Sequence, residues 1–295
     1  MSQIITIIFP LRRKSLSNRT SSHPQEPRDS CARLNQAHGW PARSLALCLA
    51  LSLAAGSACA AGWSTSPLIN NPVCTAAGGQ AFSQIAADGA GGAIITWEDN
   101  RSGTNYDIYA QRYDAAGAPQ WTANGVAVCT AAFDQEFPQI TADGAGGAII
   151  TWGDYRSGTG TADIYAQRVN AAGAPQWTAN GVAVSTAASD QFDPQIAADA
   201  AGGAIITWYD FRSGTNNDIY AQRVDAAGAP QWTANGVAVS TAASDQASPQ
   251  IAADAAGGAI ITWQDFRSGT NYDIYAQHIS GGGVLPVTMS VFSAD

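Results

Sequence analysis

Beyond its first 60 residues, this chain has no lysine and only one histidine, and its positive charge comes from seven arginines. Against those seven stand 21 aspartates and glutamates, so this part of the chain carries a net charge of −14. Such a surface repels phosphate backbones and anionic lipids. The composition therefore excludes nucleic acids and membrane surfaces as expected partners.

The scarcity of histidine and cysteine limits the metal sites and disulfides that we expect in this chain. The lone histidine, His278, has no His or Cys partner pattern around it, and it stands where the other repeats have arginine, so we expect no zinc site. Cys74 and Cys129 occupy equivalent positions of successive repeats, which later carry Ser185 and Ser240. Such positions lie farther apart than the ~7 Å between Cα atoms that a disulfide tolerates. We expect two free thiols and no cofactor; without a D-x-D-x-D-G loop the signal for calcium is weak.

Residues 1–60 have the features of a leader that contains a signal peptide. Arg43 is followed by an apolar run over residues 45–55 and by small residues ending at Ala60, the order found in secretory signal peptides. The run is short for a membrane span. We therefore expect a protein that is secreted or lies at the cell surface, with no membrane insertion after cleavage. The polar stretch before Arg43 favours a translation start downstream of Met1, near Leu34.

From residue 61 to 283 the sequence repeats itself. The dipeptide "TW" recurs at Trp97, Trp152, Trp208 and Trp263, at spacings of 55, 56 and 55 residues. A fixed period of this length indicates units that bury their apolar faces against each other. We place the repeats near 81–135, 136–191, 192–246 and 247–283.

Each period contains four short apolar or β-branched segments, such as "PQIAAD", "AIITW", "DIYAQRY" and "GVAVCT", separated by turns rich in Gly, Asp, Asn and Pro. This pattern predicts antiparallel strands and no long helix. The expected fold is all-β, a β-propeller of four blades, each a four-stranded antiparallel sheet. A β-solenoid is the alternative.

The two ends of the repeat region predict how the ring closes. Residues 63–77 resemble a fourth strand with no blade before it, and the last repeat loses its own fourth strand after Ile279. We expect the N-terminal strand to complete the last blade. The alternative is that residues 287–292, "VTMSVF", fill that place.

The phrases "DGAGGAIITW", "DIYAQRVDAAGAPQW" and "NGVAVST" resemble those of secreted bacterial repeat proteins of uncharacterised function that are predicted as β-propellers. The resemblance covers Trp63 to about Ser280, implies a secreted or surface protein, and brings no catalytic residues. The end of the chain is similar to the "LPVxLxxFxA" linker of secreted Bacteroidota proteins. We interpret residues 284–295 as a truncated linker-like tail.

The candidate ligand-binding residues lie in the turn after each "TW" strand. Every repeat has an Asp-x-Arg-Ser-Gly sequence there, which either fixes the turn or grips an anion or sugar; its recurrence favours the structural role. The residues beside it differ between repeats: Glu98, Gly153, Tyr209 and Gln264 follow the Trp, and aromatic residues precede three of the arginines. Aromatic rings beside polar groups are typical of sugar or peptide sites. The candidate set is Asp99, Arg101, Asp154, Tyr155, Arg156, Tyr209, Asp210, Phe211, Arg212, Asp265, Phe266 and Arg267.

Together these observations predict a secreted, non-catalytic binding or scaffold module, with an extracellular glycan or protein as its partner. The alternatives are a propeller glycoside hydrolase or lyase and a purely structural surface protein. Catalysis is the less expected of these functions, because a retaining glycosidase needs two carboxylates ~5 Å apart in different environments. Four equivalent aspartate sets do not predict that asymmetry.

Overall fold

A computed structural model of the protein describes residues 62–285. These residues form four antiparallel sheets in which strands follow one another in chain order. Among them there is no helix long and apolar enough to cross a membrane. The strands of sheet 1 are β1 (Gln80–Ala87), β2 (Ala93–Asp99), β3 (Asp107–Tyr113) and β4 (Val126–Cys129); those of sheet 2 are β5 (Gln135–Ala142), β6 (Ala148–Asp154), β7 (Asp163–Val169) and β8 (Val182–Ser185). The strands of sheet 3 are β9 (Gln191–Ala198), β10 (Ala204–Asp210), β11 (Asp218–Val224) and β12 (Val237–Ser240); those of sheet 4 are β13 (Gln246–Ala253), β14 (Ala259–Asp265) and β15 (Asp273–Ile279).

The second strand of each sheet explains why the repeat folds as it does. In β6 every residue is buried, because the sheet is covered on both faces by its neighbours. A strand covered on both faces needs β-branched and apolar residues at successive positions, and "AIITW" supplies them. Its register with β7 runs without a break from the pair Ala148 and Val169 to the pair Asp154 and Asp163.

The first strand of each sheet contains a bulge. In sheet 2 the register shifts between Glu136 and Gln139, and Phe137 has a φ of 55°. A bulge bends its strand and re-aims the side chains around it. The bulge recurs at Phe82, Asp193 and Ser248, all with positive φ.

Successive sheets pack face to face around a common axis. The first strands of neighbouring sheets lie in contact, whereas the fourth strands touch the next sheet only slightly, so the sheets fan out from their first strands. The apolar core falls into three clusters, one at each of the three junctions between consecutive sheets. This radial arrangement of repeated sheets is a β-propeller with four blades.

The described residues do not show the expected closure by the N-terminal strand, which stays a prediction. The backbone N–H of Thr75 donates to Asn124 Oδ1, just before β4 of sheet 1, at 2.8 Å, and the N–H of Thr130, just after β4, donates in the same way to Asn180 Oδ1, just before β8 of sheet 2, at 3.0 Å. The N-terminal segment thus contacts sheet 1 as a fourth strand of a preceding sheet would. Among residues 62–285, sheet 4 has only three strands.

Several predicted features lie outside the described residues. These are the leader with its signal sequence, the alternative closing strand at 287–292 and most of the linker-like tail. The two described cysteines, Cys74 and Cys129, are both free.

Candidate functional site

The predicted Asp-x-Arg turns are held together from inside each sheet. In sheet 2, Asp154 Oδ1 accepts from the backbone N–H and the Nε–H of Arg156, at 2.9 and 2.8 Å. Its Oδ2 accepts from the indole of Trp152 at 2.7 Å and from the Arg156 guanidinium at 2.6 Å. The guanidinium carbon also lies 3.7 Å from the ring centre of Tyr165. Both carboxylate oxygens are therefore occupied by protein donors.

The same cluster forms in every sheet. Its aspartate is fully buried in all four repeats, and its arginine stacks on the tyrosine of the third strand each time. Charge-assisted, bidentate contacts of this kind fix the turn. The structure thus places the predicted pairs in four separate turns, each within its own sheet, and does not bring them together; a ligand role for them stays a prediction. The pairs are Asp99 with Arg101, Asp154 with Arg156, Asp210 with Arg212, and Asp265 with Arg267.

The residues that differ between repeats meet at one end of the sheets. The position after each Trp pairs with a first-strand position directly before the bulge. A uniform scaffold thus carries side chains that vary at the same place in each blade. The variable pairs are Ala81 with Glu98, Glu136 with Gly153, Phe192 with Tyr209, and Ala247 with Gln264.

Glu98 fills the junction between sheets 1 and 2. It is only 2% exposed, and its Oε1 accepts from the backbone N–H of Phe137, the bulge residue of sheet 2, at 2.6 Å. Burial raises the pKa of this carboxyl to about 7, with smaller upward contributions from the charges of Glu136 and Asp134. A buried carboxylic acid of this kind holds its proton near neutral pH.

The junction between sheets 2 and 3 leaves room for a side chain at the corresponding place, beside the buried Gly153. Gly153 stands there instead of glutamate, and a Cβ on it would contact only the carbonyl oxygen of Glu136, at 3.7 Å. Two half-buried acidic residues occupy nearby first-strand positions, Glu136 opposite Gly153 and Asp193 at the bulge of sheet 3, and burial raises the pKa of both. Tyr155 lies close enough to Glu136, and Tyr209 close enough to Asp193, for these charges to raise the pKa values of the two tyrosines after the larger effect of burial.

Aromatic rings border these carboxyl groups. The rings of Phe192 and Tyr209 lie 5.6 Å apart, and those of Phe82 and Phe137 lie 5.3 Å apart in an edge-on arrangement. Phe82 and Phe137 are 58% and 42% exposed. Exposed rings next to half-buried carboxyl groups combine an apolar surface with hydrogen-bonding groups, as sugar-binding sites do.

The prediction from sequence located part of this arrangement. Tyr155 and Tyr209 belong to it, whereas Phe266 packs on Tyr272 with ring centres 5.0 Å apart, and Phe211 is half-buried in the turn of sheet 3. The first-strand residues Glu136, Phe192 and Asp193 were missed. They could have been found from their position, because the repeats differ there in an otherwise constant strand.

His278 replaces an arginine, as predicted. Its Nε2 lies 2.7 Å from Asp254, and the arginines of the other sheets pair with the equivalent aspartates, for example Arg112 with Asp88. Residues 62–285 contain no group of three or more His, Cys, Asp or Glu side chains arranged to hold a metal ion. The weak expectation of calcium stays untested.

Comparison with known proteins gives matches only among solved structures. No family model matches the chain, and no curated protein does. An endo-arabinase from Bacteroides thetaiotaomicron is 16% identical, with 63% of this chain and 70% of that chain covered and a TM-score of 0.39. A GH93 α-L-arabinofuranosidase of Fusarium graminearum is 12% identical, with coverages of 70% and 68% and a TM-score of 0.41. A protein of unknown function from Dyadobacter fermentans is 11% identical, with coverages of 69% and 66% and a TM-score of 0.45.

These comparisons correct the main functional expectation. A secreted, non-catalytic binding or scaffold module was predicted, but the solved structures that match this chain include several glycoside hydrolases. That prediction was wrong as the leading interpretation. Identities of 9–16% concern the fold alone, so the activity has to be argued from this chain's own residues.

Proposed function

We propose that this protein is a glycoside hydrolase whose site lies at the variable end of the blades, at the junctions of sheets 1, 2 and 3. One observation carries the proposal. Two glutamates that occur in one repeat each, Glu98 and Glu136, come close enough for the charge of one to raise the pKa of the other, and Glu98 has a pKa of about 7. The repeated aspartate sets lack this asymmetry. Two neighbouring acids in unlike environments are what acid–base cleavage of a glycosidic bond requires.

The different environments of Glu98 and Glu136 assign their roles in the proposed reaction. Glu98 is the more buried acid and keeps its proton near neutral pH, so it is the proton donor to the glycosidic oxygen. Its Oε1 accepts the Phe137 N–H, which leaves Oε2 to carry the proton. Glu136 is half-buried and is the carboxylate that takes a proton from the attacking water. The leaving sugar thus gains the proton of Glu98, and the water oxygen bonds to the anomeric carbon.

The sugar would bind along the space beside Gly153 and the aromatic rings near it. Tyr155 lies near Glu136 and Tyr209 lies near Asp193, which provides a further carboxyl group for sugar hydroxyls. The exposed rings of Phe82 and Phe137 provide a stacking surface beside the acids. The substrate class we propose is a polysaccharide outside the cell, which agrees with the secretory pattern of residues 43–60 and the acidic composition.

The test is hydrolysis by the full chain of a panel of polysaccharides that includes arabinan and mannan, followed by the release of reducing ends. Glu98→Gln and Glu136→Gln should each lower kcat at least ~100-fold, the range of general acid–base catalysis. Asp225→Asn is the matched control, because Asp225 caps a turn at the opposite end of β11 and Asn170 already fills that position in sheet 2. Activity should also fall as the pH rises above about 7, where Glu98 loses its proton.

A second variant probes the space beside Gly153 itself. Gly153→Gln introduces the side chain that Gln264 carries at the same position in sheet 4, and it should raise KM or abolish activity while the circular dichroism spectrum stays unchanged. The proposal fails if no polysaccharide is cleaved, or if Glu98→Gln and Glu136→Gln keep the activity of the Asp225→Asn control.

A further inference from the structure

The outer face of sheet 4 is apolar and uncovered. Ile260 and Ile274 are 52% and 74% exposed, whereas the equivalent residues of sheet 3, Ile205 and Ile219, are fully buried. Sheets 1, 2 and 3 use this same face to contact the next sheet along the chain. Sheet 4 therefore presents one complete half of a sheet-to-sheet junction.

The opposite face of sheet 1 presents the other half. Ile85 is 66% exposed, and Ile95 is half-buried where its equivalent Ile150 is fully buried. A cavity of about 270 Å³ opens there, lined by Cys74, Ile95 and Trp97 among others. In the junction between sheets 1 and 2, apolar residues of the preceding sheet pack at the equivalent place, with Ile108 close to Ile150.

The strands at the two ends are complementary as well. The edge strand β15 has no fourth strand beside it among residues 62–285. The N-terminal segment lies against sheet 1 in the position of a fourth strand. Thr75 is hydrogen-bonded to Asn124 in the same way that Thr130 is hydrogen-bonded to Asn180. An unpaired edge strand of this kind readily accepts a strand from another chain.

We infer that sheet 4 of one copy binds sheet 1 and the N-terminal segment of a second copy, in a head-to-tail contact. The occupant is a second copy because the contact continues an interface that the chain already builds three times between its own sheets, with the same residue types on each side. Residues 73–75 of the second copy then lie beside β15 as the missing fourth strand. Two different surface patches that fit each other in this way generate rings or chains of subunits.

Sedimentation velocity of the full chain over a range of concentrations tests this contact. The wild-type chain should assemble as its concentration rises. Ile274→Glu places a charge on the apolar face of sheet 4, and Ile85→Glu places one on the apolar face of sheet 1. Each variant should sediment as a monomer, because the contact would have to bury that unpaired charge. Both substituted residues are exposed in the single copy, so circular dichroism and thermal unfolding should show each variant folded.

The decisive measurement is a mixture of the two variants. Each retains one intact face, and the two intact faces are complementary, so an equal mixture should form a complex of one copy of each. Ala183→Glu is the control, since it adds the same charge to an exposed strand position in sheet 2, away from both end faces, and it should assemble like the wild type. The inference is overturned if the wild-type chain remains a monomer at every concentration. It is equally overturned if the mixed variants stay separate, because ring closure within one chain or coverage by residues 286–295 then explains the faces.

Discussion

The raised pKa of Glu98 predicts an unusual response to mutation and pH. Glu98→Gln keeps a carbonyl oxygen that can accept the N–H of Phe137, and Gln264 shows that glutamine is compatible with this position of the repeat. The substitution removes only the ability to ionise. It therefore isolates the cost of placing a negative charge in the junction between sheets 1 and 2.

The magnitude follows from the two pKa values. The pKa of Glu98 rises from 4.5 to about 7 on folding. Because the folded state holds the proton more tightly, the chain is stabilised by protonated Glu98 at low pH and loses that stability as the pH rises from 4.5 through 7. This difference between the two pKa values corresponds to about 3 kcal/mol in the free energy of unfolding once the titration is complete. Glutamine carries no such penalty at any pH.

Urea unfolding followed by tryptophan fluorescence checks the prediction. Near pH 4 the variant and the wild-type chain should unfold at the same urea concentration. Near pH 9 the Glu98→Gln variant should be the more stable of the two, by about 3 kcal/mol. The Asp225→Asn control should show no such pH-dependent gain. A variant that is less stable than the wild-type chain at about pH 9 would refute the reasoning, because the buried charge would then stabilise the fold.

Three further predictions concern the repeated scaffold. Cys129→Ser should change the unfolding free energy by about 1 kcal/mol or less, because Ser185 accepts from Arg212 the contact that Cys129 accepts from Arg156. Burial raises the pKa of the Cys129 thiol to about 12, so thiol labelling of the native protein should be the same before and after the substitution. Asp154→Asn should lower the free energy of unfolding by about 3 kcal/mol, because it leaves the partly buried Arg156 without its charge partner. Asp265→Asn should lower it by less, because Arg267 is more exposed, and urea unfolding compares the two variants. Gly181→Ala should lower stability by more than about 2 kcal/mol, since the residue has a φ of +88° and its Cβ would lie 2.6 Å from a carbonyl oxygen; an unchanged thermal midpoint would contradict this.

The local structure follows from the sequence because each of its signals acts over a few residues. The "AIITW" segment predicts a strand covered on both faces, and β6 is buried at every position. The constant Asp-x-Arg sequence predicts a turn, and Asp154 with Arg156 forms one. Tyr155 and Tyr209 were also proposed from sequence as ligand-binding residues, because they vary beside this constant turn, and that role stays a prediction.

The site and the ends of the molecule depended on contacts between repeats. Glu98 acquires its raised pKa because burial at the junction with sheet 2 disfavours its charged form, and the bulge at Phe137, which it contacts there, leaves no local pattern in the sequence. Whether the N-terminal segment reaches β15 depends on the rotation between successive sheets, which is set by side-chain packing across three junctions. The sequence by itself determined the strands, the turns and their repetition, since these follow from short-range preferences. Only the tertiary structure decided which acids meet and which faces stay uncovered, because both depend on how the sheets are placed against each other.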